Sequence, residues 1–371
     1  MADGSLIGSY IKSLKAASAF DGQVVYHREF VPSEPTYGQV RKPWPGPIAR
    51  LLEAMGIDRL YAHQAQIIDR VRAGIHTVAA TQTASGKTLT YSLPVFETVI
   101  EDASARALFI YPLKALAQDQ LKAIARMSAH LPEVDLRADI YDGDTSAYRR
   151  KKIRDKPPHI LMTNPDMVHL SVLPYHDRWS DLLSRIRFVV IDEVHTYRGI
   201  LGSHMAQVFR RLRRMCSHYG ASPTFVFTSA TVANPDELAR QLTGLSVETV
   251  TQSTAGNGRR HLIMMDPADG SLTATVMLLK AAVSRGLRTI VYTQSRKLAE
   301  LLAIWAQHRS GVLADRISAY RAVFLPEERR EIESNLASGE LLVVFASSAL
   351  DLGIDIGSLD LCILVGYPGS I

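Results

Sequence analysis

The chain has 371 residues, 47% hydrophobic and 21% charged, with a formal net charge of +5 and a pI near 9.1. That length exceeds one comfortable hydrophobic core and predicts two domains of roughly 100 to 200 residues each. No apolar run approaches the roughly 18 residues of a membrane span, and "MADGSLIGSYIKSLKAA" has no uninterrupted apolar stretch of a secretory leader, so a cytoplasmic protein without a membrane partner is expected. The two cysteines, Cys216 and Cys362, exclude a disulfide framework and a four-ligand zinc site and read as reduced core thiols. The basic balance favours a polyanionic partner without naming one.

In chain order, residues 1–58 come first as an accessory segment, with five prolines between Pro32 and Pro47. Short apolar runs follow, "HTVAAT", "RALFIYP", "HILMTN", "RFVVIDEVH" and "TFVFTSA", which lack polar alternation and read as strands buried on both faces. Between them lie segments of helical period such as "PLKALAQDQLKAIARMSAH". Strand and helix in alternation predict an α/β fold with a parallel sheet over residues 59–252. The Gly/Ser/Thr-rich stretch at 253–257 reads as a linker. The rhythm then resumes over 258–371 with "HLIMMD", "RTIVYTQ", "RISAYR", "LLVVFASS" and "LCILVGYP". Two basic runs, "YRRKKIR" at 148–154 and "RRLRR" at 210–214, are either solvated helix faces or nucleic-acid contacts, and only other motifs can decide between them.

Chemistry enters at "TQTASGKTLT", residues 81–90, where Gly86, Lys87 and Thr88 sit between a strand and a helix in the order of a phosphate-binding loop. Such a loop needs backbone N–H groups around the phosphates, a lysine on the outer phosphates and a hydroxyl on magnesium; Lys87 and Thr88 supply the last two. Thr81 and Ala84 stand where glycines are common, but neither change removes an amide donor, provided Ala84 keeps a negative φ. Downstream, the strand in "RFVVIDEVHTYRG" delivers Asp192 and Glu193 at its C-terminal end, where open parallel sheets bind ligands. Asp192 is placed to hold magnesium and Glu193 to orient or deprotonate an attacking water. Alone, the pair also fits a helix cap; the loop upstream favours catalysis.

Together these segments resemble the superfamily 2 helicases of the DEAD/DEAH-box kind, along nearly the whole chain and as an ordered series. The resemblance implies two RecA-like domains in tandem, with ATP and magnesium as cofactors. "LYAHQ" is similar to the Q motif, which brings Tyr61 and Gln64 to the nucleotide, with Gln64 reading adenine. "TQTASGKT" is similar to motif I, which implies that Thr81, Gln82, Thr83, Ala84, Ser85, Gly86, Lys87 and Thr88 cradle ATP. "DEVH" is similar to motif II and adds His195 to Asp192 and Glu193. "SAT", comprising Ser229, Ala230 and Thr231, is similar to motif III, which with His195 couples ATP state to domain closure. Motifs Ia, "YPLKALAQDQ", and Ib, "TNPDM", imply a nucleic-acid grip by Pro112, Leu113, Lys114, Thr163, Asn164 and Pro165, with Asp142 and Gly143 of "YDGDT" alongside. "TIVYTQSRKLAE" resembles motif IV and "ASSALDLGIDIG" motif V, which adds Thr293, Arg296 and Ser347 to that grip and Gly353 and Asp355 to the ATP.

A finer resemblance, carried by "DEVHTYRGILGSH", "SATVANP", "AYRAVFLPEERREIE" and "LDLGIDIGSLD", is to the YprA/MrfA-type DNA-repair helicases. It implies ATP-dependent translocation on DNA that is single-stranded or has a single-stranded tail, 3′ to 5′, in genome maintenance. The four-cysteine metal site usual in that group has no counterpart here. After "VGYPGSI" the family pattern would continue into the arginines of motif VI, so the second domain is expected to be incomplete at its C-terminus and hydrolysis to be impaired; Arg259 and Arg260 lie in the wrong place to substitute. The rival reading is a helicase-like module that binds nucleic acid or ATP without turnover. Intact Lys87, Asp192 and Glu193 weigh against it.

Overall fold

The structure is a computed structural model that describes residues 4–82, 85–320, 324, 326–347 and 359–366. It divides into two compact units, one formed by Ser33–Asn257 and the other by Met1–Pro32 with Gly258–Ile371. The strands in chain order are β1 (Val24–Phe30), β2 (Tyr37–Gly38), β3 (Leu60–Tyr61), β4 (Thr77–Ala79), β5 (Arg106–Ile110), β6 (Ala138–Tyr141), β7 (Ile160–Thr163), β8 (Ile186–Ile191), β9 (Thr224–Thr228), β10 (Glu248–Val250), β11 (Arg260–Met265), β12 (Thr289–Thr293), β13 (Ile317–Ala319), β14 (Val343–Ala346) and β15 (Leu361–Val365).

In the Ser33–Asn257 unit seven strands form one parallel sheet in the order β10-β4-β9-β8-β5-β7-β6. Every residue of β4, β5, β7 and β9 is buried, as continuous apolar runs covered by helices on both faces require. Trp179, Phe209 and Leu212 are among the buried side chains packed with Leu161, Val189 and Phe225 in its largest core cluster. The two outer strands, Ala138–Tyr141 and Glu248–Val250, lack an apolar run and were invisible to the hydrophobic pattern, because an edge strand needs less burial.

The other unit holds a four-stranded parallel sheet, β13-β14-β12-β15, again with helices. The tandem α/β architecture is therefore the expected one, with two corrections. "HLIMMD" does not open this sheet: β11 pairs antiparallel with β1 in a separate ribbon, and its burial alternates, with Ile263 and Met265 inward and Leu262 and Met264 exposed. Its inner face meets the helices Gly4–Ala16 and Ser271–Val283 through Leu14, Ala274 and Leu278, so the first 32 residues pack with the second sheet, whereas 33–58 pack with the first. Of the two thiols, Cys216 lies in the core, but Cys362 is exposed on β15. Among the described residues no helix is long and apolar enough to cross a membrane.

Candidate functional site

Strand order gathers the motifs. The C-terminal ends of neighbours β4, β9 and β8 lead into Ala80–Lys87, Ser229–Thr231 and Asp192–His195 respectively, while β5, β7 and β6 lead into Pro112–Lys114, Asn164–Pro165 and Asp142–Gly143. One rim of one sheet thus carries a carboxylate-lysine cluster on one side and exposed loops on the other.

The helix Lys87–Glu101 begins at Gly86, whose φ of 75° lies in the left-handed region, and no side chain caps its first amides. Glycine is needed there twice over: for that φ, and because a Cβ would run into Gln64 Nε2. Thr81, fully buried, replaces the usual leading glycine with a hydrogen bond of 2.7 Å between its hydroxyl and that of Ser85, so the two ends of the loop are tied by side chains. Thr83 and Ala84, and with them the expectation for the Ala84 φ, lie outside the described residues. Lys87 Nζ donates to the carbonyls of Thr81 (3.0 Å), Gln82 (3.3 Å) and Ser229 (3.0 Å), linking the loop after β4 to the segment after β9. Burial lowers its pKa, against the pull of Glu193 and Asp192. Thr88 Oγ1 donates to Gln120 Oε1 (3.2 Å), which leaves the oxygen's lone pairs available.

Asp192 is buried, and its carboxylate accepts from the Thr228 hydroxyl and from the Glu193 amide (3.0 Å). Burial first, then the neighbouring Glu193 charge, pushes its carboxyl up to about 7, while the Glu193 amide and Lys87 oppose the shift. Glu193 is the one non-glycine residue with positive φ among the described residues (50°), the kind of local strain that persists where packing enforces it. Its Oε2 lies 3.1 Å from His195 Nδ1, yet is buried without a hydrogen bond of good geometry, because that nitrogen accepts from the Ala230 amide (3.3 Å). Ser229 Oγ is 3.4 Å from the same nitrogen. His195 is held below its usual pKa, foremost by burial, with the Glu193 charge opposing. Thr231 is exposed just beyond.

These groups fit a nucleotide with its magnesium. A buried acid with a raised pKa is what a divalent cation would stabilise as carboxylate, and the buried Glu193 Oε2 lacks the hydrogen-bond donor that a water would supply. Among the described residues no cluster of three His, Cys, Asp or Glu side chains could hold a metal; magnesium beside a nucleotide is usually bound by one or two protein oxygens plus phosphates, for which Thr88 and Asp192 are the candidates.

Gln64 touches the phosphate loop directly. Its Oε1 accepts the Tyr61 amide (3.0 Å) at the start of its own helix, and its Nε2 donates to the carbonyls of Ser85 (3.3 Å) and Gly86 (3.2 Å), so the amide end of the side chain joins that helix to the phosphate loop. Tyr61 is stacked between Tyr37 (5.6 Å) and His63 (5.8 Å), and the Arg59 guanidinium sits 4.0 Å over Tyr37. Tyr37, Arg59 and His63 escaped sequence reasoning; Tyr37 lies in the proline-rich stretch and carries no local pattern.

The residues expected at nucleic acid separate into two kinds. Asp142 accepts from Asp144 and Thr145 in a closed turn, Thr163 donates to the Tyr141 carbonyl (2.6 Å) and Asn164 caps Met167, so these three side chains hold loops in shape, with buried Pro165 beside them. Half-buried Pro112 leads to exposed Leu113 and Lys114, and Gly143 is also exposed; Lys114 Nζ meets Asp144 at 2.7 Å. In the other unit Thr293 and Ser347 stand at the ends of adjacent β12 and β14, with Arg296 exposed at the start of the helix Arg296–Ser310. Gly353 and Asp355 lie outside the described residues. Each basic run is engaged in part: Arg210 and Arg213 cap the carbonyls of Gln241 and Thr243, Arg149 pairs with Asp139, and Arg150 donates to Thr145, Asp142 and Gly143.

Comparison with known proteins bears on this arrangement. Residues 61–238 match the DEAD/DEAH box helicase family, and 271–371 match the helicase conserved C-terminal domain. The chain is 43% identical over 335 residues to the ATP-dependent helicase YprA of Bacillus subtilis, covering 87% of this chain and 44% of that protein. It is 34% identical to the ATP-dependent helicase hrq1 of Schizosaccharomyces pombe, covering 98% of this chain and 36% of that one. A crystal structure of the helicase MrfA bound to DNA and AMPPNP superposes with a TM-score of 0.91 at 39% identity, covering 98% of this chain and 51% of that one. The chain thus spans less than half the length of these two curated relatives. With both helicase domains matched in series and the motif residues gathered on one sheet rim, the chain belongs to the DEAD/DEAH box helicases.

Proposed function

We propose that this chain is the ATP-driven motor of a DNA helicase or translocase that moves 3′ to 5′ along one strand in genome maintenance. The observation that carries the proposal is the convergence of Lys87, Asp192, Glu193, His195 and Ser229 at adjacent strand ends, with the Lys87 ammonium spanning from the phosphate loop to Ser229. On this reading Lys87 exchanges its carbonyl partners for phosphate oxygens, and the free amides of the Lys87 helix complete the cradle. Magnesium, held by Thr88 and Asp192, would neutralise charge on the transferring phosphoryl group. Glu193 orients or deprotonates the water, and His195 with Ser229 to Thr231 reports the change to the rest of the domain. Thr83, Ala84, Gly353 and Asp355 enter by resemblance alone.

DNA as the partner is supported by the MrfA complex, and on this chain Leu113, Lys114, Gly143, Arg296, Thr293 and Ser347 are its proposed contacts, with Asp142, Thr163 and Asn164 shaping the loops. The test is phosphate release with and without single-stranded DNA. Lys87→Ala should lose ATP binding, whereas Glu193→Gln should bind ATP but not turn it over. Equal loss of binding in both variants, measured by calorimetry, would remove Glu193 from the water-activating role. Displacement of streptavidin from 3′- or 5′-biotinylated strands reads the polarity, and faster release from the 3′ end would contradict it.

A further inference from the structure

The stretch read as a linker, 253–257, is held near its start. Thr254 is bound to His63 three times: the His63 amide donates to Thr254 Oγ1 (3.0 Å), the Thr254 amide donates to His63 Nδ1 (3.1 Å), and Oγ1 lies 2.8 Å from the same nitrogen. The Thr36 amide donates to the Thr254 carbonyl (2.9 Å), and Ser33 and Asn257 form an antiparallel bridge. Gly256 packs so closely on this neighbour that a Cβ would meet the Ser33 carbonyl oxygen at 2.8 Å and Pro35 at 2.9 Å. The chain passes between the two units at Pro32–Ser33 and at Asn257–Gly258, so the Ser33–Asn257 bridge ties the two crossings to each other, three residues after Thr254.

The other ring nitrogen of His63 faces the opposite way. Nε2 is 3.0 Å from the carbonyl of Ser85, inside the phosphate loop. A ring that accepts at Nδ1 must donate at Nε2, so the two contacts select one neutral tautomer. Burial favours the same neutral form: His63 is 2% exposed and its pKa is lowered, foremost by desolvation. Its ring lies nearly parallel to that of Tyr61, 9° apart with centroids at 5.8 Å. The first turn of the helix Ala62–Arg72 has its own closure, in which Gln64 Oε1 accepts the Tyr61 amide (3.0 Å).

We propose that His63 is a positioning residue that joins the phosphate loop, at the Ser85 carbonyl, to the inter-unit crossing, at Thr254, so that nucleotide occupancy and the state of the crossing affect each other. The idea rests on the proposed function, since it takes the loop to bind nucleotide. It makes the two sides of the ring separable by substitution. Glutamine at this position keeps a donor at the distance of Nε2 but has no acceptor for Thr254; asparagine keeps a polar atom at the distance of Nδ1 but cannot reach Ser85.

The experiment uses the full chain, with AMPPNP and magnesium as the nucleotide probe and a single-stranded oligonucleotide as the DNA. AMPPNP affinity is measured without and with saturating DNA, and the ratio of the two Kd values is the coupling. His63→Gln and Thr254→Val should leave AMPPNP affinity without DNA within about twofold while the coupling falls towards one, because only the crossing side is cut. His63→Asn should weaken AMPPNP binding itself by roughly fivefold to tenfold, the scale of one lost hydrogen bond. Coupling unchanged in both His63→Gln and Thr254→Val would overturn the relay. So would thermal destabilisation of all three variants with the coupling intact, since that is what a purely structural histidine gives. If the unsubstituted chain binds no AMPPNP, the proposed function fails and takes the relay with it, an outcome distinct from failure confined to the variants.

Discussion

Gly86→Ala is the sharpest perturbation available at the nucleotide site, and its cost can be worked out before measurement. An alanine held at φ 75° takes on the left-handed penalty of about 1–2 kcal/mol. Its Cβ would also displace the Gln64 amide, which is 3% exposed and makes three hydrogen bonds, to the Tyr61 amide and to the Ser85 and Gly86 carbonyls. At about 1 kcal/mol for each, the displacement costs roughly 3 kcal/mol more. The total, about 4–5 kcal/mol, is a large share of a domain's stability of roughly 5–15 kcal/mol. Thermal unfolding should show it plainly, at about 2–4 °C per kcal/mol for a domain of this size. The two contributions separate in a double-mutant cycle with Gln64→Ala. Once the Gln64 side chain is gone, Gly86→Ala should cost only the backbone penalty, about 1–2 kcal/mol. An equal cost in both backgrounds would refute the reasoning that the clash with Gln64 dominates.

Other substitutions test neighbouring parts of the argument. Arg72 makes a two-point pair with buried Glu97 (2.6 and 3.0 Å) and lies 3.7 Å over Trp44, so Arg72→Ala should cost about 3–5 kcal/mol in urea unfolding, and Arg72→Lys should not restore it, since an ammonium cannot match the two-point geometry. Lys114→Ala should lower the salt dependence of single-stranded DNA binding by about one phosphate's worth, as seen in titrations at several salt concentrations. Arg213→Ala should do the reverse, lowering the melting temperature without changing that slope, because its guanidinium caps the Thr243 carbonyl at 2.7 Å. In the folded protein a disulfide reagent should modify exposed Cys362, while buried Cys216, its thiol pushed up to about 12, should react only on unfolding.

What the sequence made legible follows the depth of burial. Central strands such as Arg106–Ile110 and Thr224–Thr228 are buried at every position, and an uninterrupted apolar run announces that directly. Arg260–Met265 carries a similar run, yet alternate residues face solvent, so composition alone assigned it to the wrong sheet. Its partner, Val24–Phe30, lies more than two hundred residues away in sequence, a pairing that no local pattern encodes. At the site, the loops were located by spacing because phosphate chemistry fixes residue types at fixed intervals. The contacts were not, because they depend on side-chain direction: the hydroxyl tie from Thr81 to Ser85, the inward turn of Gln64 and the stack of Tyr37 on Tyr61 appear only when the chain is folded.

The basic runs show why charge counts and contacts must be kept apart. An arginine that donates to a carbonyl keeps its full charge, so Arg150, Arg210 and Arg213 still contribute to the field that draws a polyanion from within a Debye length of about 8–10 Å. They differ in what else they do. Arg150 binds the carbonyls of Asp142, Gly143 and Thr145, and so shapes the loop that stands beside Lys114, whereas Arg210 and Arg213 only close the C-terminal end of the helix Pro235–Thr243. Arg149, paired with Asp139 at 2.5 Å, and Lys114, paired with Asp144 at 2.7 Å, are each offset by a neighbouring carboxylate. A net charge of +5 favours a polyanion in general, but on the proposed function the grip rests on the few donors exposed at the rim, where Lys114 would have to exchange Asp144 for a phosphate.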